Sequence, residues 1–218
     1  MAGLDNIICP LCYSLSIVNY CSDKRRDYYH CEQCRLVFVP PCQHLSREAE
    51  KAHYDLHQNS PDDQRYRQFL SRLTNPLEAV LTPGARGLDF GSGPGPTLSV
   101  MLKEAGFDMA VYDTFYANDP SVLQSEYDFV TTTEVVEHLS EPGKVLESLY
   151  SMIRPGGYLG VMTKMVLDQA AFTSWHYKND QTHISFYSRE TFNYLAQIWG
   201  GSVEYPDGDV VLIKKPNK

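Results

Sequence analysis

The part of the chain after residue 83 alternates short apolar segments with stretches of helical periodicity. Strand-like apolar segments lead into Asp89, Asp113 and Glu134, and apolar residues recur at helical spacing over 98–105. Strands that alternate with helices predict a parallel sheet with helices packed against it. The sequence therefore predicts the α/β class, with a doubly wound sheet.

The last forty residues predict a helix and then a hairpin. Ser188 is a suitable N-cap for a helix over 189–199, which Gly200-Gly201 would end. Strand-like residues at 203–205 and 210–213 flank the turn residues Pro206-Asp207-Gly208. We expect this C-terminal antiparallel hairpin to complete the sheet.

Helix-forming residues also fill 46–83, which we interpret as a linker or lid. Ser46 is a plausible cap for a helix over 46–58, and apolar residues at three- and four-residue intervals predict a second helix over 66–81, broken near Asn75-Pro76. Polar and aromatic side chains here could cover a site, although packing and surface roles are commoner for such residues: Tyr54, His57, Asp62, Tyr66 and Arg67. The chain is therefore predicted to divide into a small amino-terminal module over 1–45, a helical linker or lid over 46–83 and the larger domain over 84–218.

Four of the six cysteines have the spacing of a zinc site. Cys9 and Cys12 form one CxxC pair, Cys31 and Cys34 form another, and 18 residues separate the pairs. Two intervening residues let a tight turn direct both thiolates at one tetrahedral ion. Strand-like residues on both sides of the second pair predict a hairpin, and hence a zinc ribbon in which four cysteines hold a structural Zn²⁺.

Other interpretations of the cysteines remain open at this point. The four thiols could be buried without metal, and a redox CxxC would leave one pair unexplained. Cys21 and Cys42 lie outside the set and are more typical of small hydrophobic residues.

Composition and charge indicate which classes of protein and which partners the chain is suited to. The chain has 218 residues, 43% hydrophobic and 21% charged, which suits one catalytic-sized domain with a small appendage. Its net charge is −8, and the one basic cluster is Lys24-Arg25-Arg26, with Arg35 nearby. This cluster gives weak support to an RNA partner. No apolar run is long enough to span a membrane, and the first six residues lack a signal-peptide pattern, so we expect a cytoplasmic protein without a membrane partner.

A glycine-rich loop follows the first strand of the larger unit. Gly91, Gly93 and Gly95 come directly after this strand and before a helix, so the backbone can turn tightly and approach a ligand. The next strand ends at Asp113, 24 positions after Asp89, where a carboxylate can accept both hydroxyls of a ribose. A dinucleotide enzyme and an adenosyl-ligand enzyme both fit these features.

Four motifs in order resemble the class I S-adenosylmethionine (SAM)-dependent methyltransferases. They are the glycine loop over 88–95, the acid at 113, the strand and turn over 127–139, and the turn into a strand over 154–161. The resemblance implies a Rossmann-like methyltransferase sheet and SAM as the cofactor. Only 114–126 separate the second strand from the next one, so we expect a vestigial third strand near 121–123.

The resemblance also implies roles for individual residues. The three loop glycines would pass beneath the methionine part and the ribose of SAM, and Asp89 would order the loop and meet the amino group. Asp113 would bind the ribose hydroxyls, and Thr133 and Glu134 would line the site. The cofactor-binding set is Asp89, Gly91, Gly93, Gly95, Asp113, Thr133 and Glu134.

Candidate catalytic residues follow the strands that end near this loop. Glu134 and His138 follow one strand, together with Glu137, for which we favour a structural role. His183 lies in the polar and aromatic stretch 175–187, which resembles a segment of methyltransferases that also carry amino-terminal zinc ribbons. Histidine titrates near neutrality and could act as a general base, or His183 and His138 could fix their loops by hydrogen bonds.

The sequence predicts an enzyme that transfers a methyl group from SAM to a small-molecule or carrier-bound acceptor. The alternative is an RNA methyltransferase that holds tRNA or rRNA with its ribbon. A third interpretation is an adaptor that binds SAM without catalysis.

Overall fold

A computed structural model of the chain describes residues 7–55 and 60–218. Ten strands and six α-helices occur in these residues, joined in places by short 3-10 helices. The strands are β1 (Ile17–Ser22), β2 (Asp27–Cys31), β3 (Val37–Phe38), β4 (Arg86–Phe90), β5 (Asp108–Tyr112), β6 (Tyr127–Thr133), β7 (Ile153–Met162), β8 (Ser185–Phe186), β9 (Ser202–Asp207) and β10 (Val210–Lys214). The helices are α1 (Arg47–Tyr54), α2 (Gln64–Glu78), α3 (Thr97–Glu104), α4 (Pro142–Ser151), α5 (Gln169–Thr173) and α6 (Arg189–Ile198).

The larger sheet has the strand order β5-β4-β6-β7-β10-β9. Strands β5, β4, β6 and β7 are parallel, whereas β10 is antiparallel to β7 and to β9. The parallel register places the carboxyl ends of β4, β5 and β6 at one edge of the sheet. The predicted doubly wound fold with its closing antiparallel hairpin is confirmed.

Helix α2 covers one face of this sheet with a single apolar side. Leu70, Leu73 and Leu77 recur at intervals of three and four residues, and each is at most 1% exposed. They belong to one buried cluster with Leu102 of α3 and Phe129 of β6. Burying a leucine of this kind contributes roughly 1.5–3 kcal/mol, so the cluster fixes the helix on the sheet.

Two local predictions were wrong. Helix α2 continues through Pro76, because the buried Leu77 anchors its last turn and the Ala79 N–H still donates to the Asn75 carbonyl at 3.2 Å. The segment predicted as a vestigial third strand is a 3-10 helix, Pro120–Gln124, whose first turn the Asp119 side chain caps at the Ser121 N–H, 2.9 Å away.

The smaller sheet has the order β1-β2-β3-β8 and is antiparallel throughout. The predicted ribbon strands correspond to β2 and β3, whereas β1 was missed. Strand β8 follows His183 in the chain and pairs with β3, where Val37 lies opposite Phe186. A strand from the larger unit therefore completes the sheet of the ribbon. Backbone hydrogen bonds between β3 and β8 thus join the two units that were predicted to separate after residue 45.

The segment 46–83, predicted as a linker or lid, contains α1 and the whole of α2. The Ser46 hydroxyl accepts a hydrogen bond from the Ala49 N–H at 3.3 Å and caps α1 as expected. His57 lies outside the described residues. Of the helices in 7–55 and 60–218, none combines the length and the apolar character that a membrane span requires.

Candidate active site

A cavity of about 460 Å³ opens where β4, β5 and β6 end. The glycine loop and Asp113 line one side, Thr133 and Glu134 line the floor, and His138 and His183 line the far side. Residues from six separate segments thus meet in one space. The structure brings together most of the site residues that the sequence predicts.

Asp113 holds the glycine loop in place. Its Oδ2 accepts a hydrogen bond from the Gly93 N–H at 2.9 Å, and its Oδ1 accepts from the N–H groups of Phe115 and Tyr116 at 2.8 and 3.1 Å. The Gly91 N–H donates to the Tyr112 carbonyl at 2.8 Å. One carboxylate therefore joins the loop after β4 to the turn after β5.

Gly91 is required by both its conformation and its surroundings. Its φ is +79°, and a Cβ there would collide with the Val135 side chain. We expect Gly91→Ala to displace the loop and to weaken SAM binding at least about ten-fold in isothermal titration calorimetry. Gly84→Ala is the matched control, since Gly84 has a φ of +77° but open space around its Cβ position. Equal SAM affinities of the two variants would contradict this role of Gly91.

Asp89 and Gly95 lie behind the cavity wall rather than on it. Asp89 is 3% exposed and accepts a hydrogen bond from the Thr131 hydroxyl at 3.0 Å. Burial raises the pKa of Asp89 to about 7. Gly95 is buried, and its carbonyl accepts from the Thr97 N–H at 2.7 Å, at the start of α3. The contact of Asp89 with a cofactor amino group, which the resemblance implies often through water, stays a prediction.

Glu134 combines backbone strain with a buried carboxyl group. Its φ is +53°, a conformation that costs a non-glycine residue energy and that clusters at functional sites. Burial, with a smaller contribution from Glu137, raises the pKa of Glu134 to about 8. Its Oε1 is buried and, among the described residues, has no hydrogen-bond partner, as is also the case for Ser92 Oγ and Thr133 Oγ1.

His183 and His138 stand side by side at the far side of the cavity, with ring centroids 4.7 Å apart. His183 Nδ1 lies 2.7 Å from the Tyr177 carbonyl, and His138 Nδ1 lies 3.1 Å from the Thr182 carbonyl. Because a carbonyl only accepts, both Nδ1 atoms carry the hydrogen and the basic nitrogen of each ring is Nε2. Burial and the neighbouring His138 lower the pKa of His183.

Glu137 supports this pair from beneath. It is 0% exposed, and its carboxylate accepts hydrogen bonds from the hydroxyls of Tyr177 and of Thr163, the latter at 3.0 Å. The Tyr177 ring lies against the His183 ring, with centroids 4.1 Å apart. These contacts favour the structural role predicted for Glu137.

Sequence reasoning missed several residues of the cavity. Asp180 lines it and lies 3.8 Å from His183 Nε2, and Phe115 lines it beside Tyr54 of α1. The acid three residues before His183 and the aromatic pair that begins two residues after Asp113 were the available signals. Tyr54 and Tyr66, named as lid residues, both line the cavity, whereas Asp62 and Arg67 do not.

The four cysteines form one cluster below the ribbon hairpin. The Sγ atoms of Cys9 and Cys34 are 3.4 Å apart, those of Cys12 and Cys31 are 3.5 Å apart, and all four lie within 4.8 Å of one another. In both turns the residue after the second cysteine has a positive φ, 60° at Tyr13 and 64° at Arg35. The two CxxC turns thus share one backbone geometry and direct their thiols at one point.

The parallel sheet order, the glycine loop and the acid after β5 define a protein of the class I methyltransferase fold. Residues 62–200 match the family described as methyltransferase domain. The chain belongs to this family.

Curated relatives match over a shorter segment. The ubiquinone biosynthesis O-methyltransferase of Pseudomonas savastanoi pv. phaseolicola is 29% identical over 82 residues, which are 37% of this chain and 35% of that protein. The protein of the same description from Marinobacter nauticus is 32% identical over 80 residues, 35% of this chain and 33% of that protein. The chain therefore spans about a third of the length of these relatives.

Solved structures share the fold at low sequence identity. An O-methyltransferase family protein from Burkholderia thailandensis superposes with a TM-score of 0.55 at 13% identity, over 79% of this chain and 61% of that one. The magnesium protoporphyrin IX methyltransferase of Synechocystis PCC 6803, with bound S-adenosylhomocysteine (SAH), superposes with a TM-score of 0.54 at 14% identity, over 77% of this chain and 94% of that one. These similarities establish the fold.

Proposed function

We propose that the protein transfers a methyl group from SAM to a polar small-molecule or carrier-bound acceptor. The observation that carries this proposal is the single cavity that joins the glycine loop and Asp113 to the paired histidines. A methyl donor held by the loop would face a proton-accepting nitrogen across that cavity. The proposal also accords with the methyltransferase domain family.

The residues of the loop side fit a cationic nucleoside. Asp113 lies beside the glycine backbone. Ser92, Thr133 and Glu134 line the same cavity, and each has a buried side-chain oxygen without a hydrogen-bond partner among the described residues. Buried polar atoms without partners are costly, so a ligand that bonds to them would stabilise the site. SAM, when bound, supplies a methyl group on a positively charged sulfonium, and the nearby carboxyl groups complement that charge.

A second cavity of about 410 Å³ adjoins the first and would admit the acceptor. The two cavities share Glu50, Thr114, Phe115 and His138 in their walls. The second is lined further by polar residues of the ribbon end, the start of α1 and the loop before β8, including Arg47 and Gln181. This lining favours a polar acceptor whose reacting atom reaches the first cavity past His138.

His183 is the proposed general base. Its Nε2 is the basic nitrogen, and the lowered pKa keeps the ring neutral near pH 7, so that it can accept a proton from an acceptor hydroxyl or amine. His138 orients it by ring contact, and Glu134, with a pKa of about 8, is a second candidate for accepting that proton above pH 8, where its carboxyl group is ionised. Methyl transfer from a good leaving group needs alignment above all, which the buried network beneath the rings supplies.

Labelled SAM incubated with fractionated cell extract tests the function. We expect label in the small-molecule or carrier fraction, and loss of that label with His183→Ala at retained SAH affinity. Label in RNA would select the RNA alternative, for which Lys24, Arg25 and Arg35 remain exposed. SAM binding without any transfer would select the non-catalytic adaptor.

SAM affinity should depend on pH more steeply than SAH affinity. The pKa values of Glu134 and Asp89, about 8 and 7, leave these groups largely protonated at pH 6. Their ionised forms attract the sulfonium, so SAM binding should tighten by roughly ten-fold as the pH rises from 6 to 9. SAH has the same amino group and no sulfonium, which makes it the control.

Calorimetric titrations at both pH values test this dependence. Glu134→Gln should flatten the pH profile for SAM toward that for SAH. Identical profiles of the two ligands with the unaltered protein would contradict it.

A further inference from the structure

Arg26 stands out because it belongs to an exposed basic cluster in the sequence but is buried in the structure. It precedes β2 directly, in the turn that joins β1 to β2, and is 6% exposed, whereas Lys24 and Arg25 are exposed. A buried guanidinium needs acceptors for its fixed fork of N–H donors. The surroundings of Arg26 show which groups accept them.

The Arg26 guanidinium donates to four backbone carbonyls of one loop. Nη1 donates to the carbonyls of Gln181 and His183 at 3.1 and 2.8 Å. Nη2 donates to those of Asp180, at 3.0 Å, and Lys178. A single side chain of the ribbon thus binds four of the six peptide carbonyls between 178 and 183.

Further hydrogen bonds join the ribbon turn to the same loop. The Lys178 ammonium, 6% exposed, lies 2.7 Å from Asp23 Oδ2, which also accepts from the Tyr28 hydroxyl at 2.9 Å. Just beyond the loop, the Val39 N–H donates to the Ile184 carbonyl at 2.9 Å. The ribbon therefore holds most of the loop, whereas the Thr182 carbonyl accepts a hydrogen bond from His138 Nδ1.

This loop carries the side chains at the far side of the cavity. His183 and Asp180 both line the cavity, and the His183 ring is fixed by its hydrogen bond to the Tyr177 carbonyl. The loop backbone from 177 to 183 thus determines where His183 Nε2 lies. Within 7–55 and 60–218, no group of the larger sheet donates to the four carbonyls that Arg26 binds.

We propose that Arg26 is a positioning residue, through which the ribbon hairpin sets the orientation of the His183 imidazole in the cavity. The ribbon is then part of the active site and more than an appended module. The catalytic meaning of this orientation rests on the proposed function, whereas the orientation itself can be measured without turnover.

Nuclear magnetic resonance of the His183 Nδ1–H in the full chain tests the proposal. With Arg26→Ala we expect the hydrogen-bonded Nδ1–H signal to be lost, or its exchange with water to accelerate at least about ten-fold, because four carbonyls of the loop lose the guanidinium that joins them to the ribbon. SAH affinity, measured by calorimetry, should change by less than about three-fold, since the glycine loop and Asp113 are untouched. Guanidinium ion at millimolar concentration should restore the signal.

Two further variants keep the test decisive. Arg25→Ala, on the neighbouring exposed residue, should leave the signal unchanged. Arg26→Lys keeps the charge but cannot reach four carbonyls, so it should give intermediate exchange even where the alanine variant fails to fold.

A folded Arg26→Lys or Arg26→Ala variant with the native Nδ1–H signal would overturn the proposal. So would loss of SAH binding in step with the loss of the signal, because Arg26 would then support the fold as a whole. Failure of the unaltered protein to bind SAH would instead count against the proposed function. The His183 Nδ1–H signal would still test the role of Arg26 in that case.

Discussion

Asp113→Ala is expected to weaken SAM binding by about 100- to 1000-fold. The Asp113 carboxylate accepts three backbone N–H groups, one of them from Gly93, so its removal frees the glycine loop as well as abolishing the proposed ribose hydrogen bonds. Hydrogen bonds to a charged group contribute about 1.5–3 kcal/mol each, and every 1.4 kcal/mol changes an affinity ten-fold. Removing both ribose hydrogen bonds accounts for an effect of this size.

Isothermal titration calorimetry with SAM and SAH measures the effect, and Asp119→Ala is its matched control. Asp119 also accepts a backbone N–H, from Ser121, but lies exposed on the next turn of the chain and outside the cavity wall. The control should bind both ligands as the unaltered protein does. Similar affinities of the two variants would show that Asp113 has no part in cofactor binding.

The parts of the fold that local pattern determines could be predicted from the sequence. The strand that leads into the glycine loop ends at Leu88-Asp89-Phe90, and an apolar run over 109–112 leads into Asp113. Glycines lie close to both segments, so local pattern indicates their positions. The CxxC spacing likewise identified the four cysteines that the structure brings within 4.8 Å of one another. In both cases the signal lies within a few neighbouring residues.

The missed features depend on residues far apart in the chain. Arg26 and the carbonyls it binds are separated by more than 150 residues, and β3 and β8 by a similar distance. No local pattern distinguishes an arginine that will be buried from its exposed neighbour Arg25. The continuation of α2 through Pro76 has the same cause, because tertiary burial of Leu77 outweighs a local helix-breaking tendency.

The same distinction explains which site residues were found. Glu134 and His138 come soon after a strand of the sheet. The strand order implied by the resemblance was therefore enough to predict that they line the cavity, as they do. Asp180 and Phe115 reach it from loops whose paths depend on packing against the ribbon and against α1. Loops of this kind often carry the residues that determine specificity. The local sequence pattern predicts the path of such loops less well than it predicts helices and strands.

Cys34→Ser is expected to destabilise the protein by at least about 4 kcal/mol and to lower its melting temperature by about 10 °C. We propose that the four clustered thiols hold Zn²⁺, whose tetrahedral site with Zn–S distances of about 2.3 Å they can supply. Cys34 is 0% exposed and belongs to the same buried cluster as Phe38 and Tyr187. Loss of the ion would therefore open the core beside β3 as well as the CxxC turns.

Thermal unfolding and zinc content should change together in this variant. Cys42→Ser is the control, since Cys42 is exposed and lies outside the cluster, and it should keep both the metal and the melting temperature. Hydrogen exchange should also accelerate over 178–186 in Cys34→Ser, because that loop depends on the ribbon for its hydrogen bonds. A Cys34→Ser protein that retains one zinc and native stability would refute the metal site, and the ribbon would then be stabilised by packing alone.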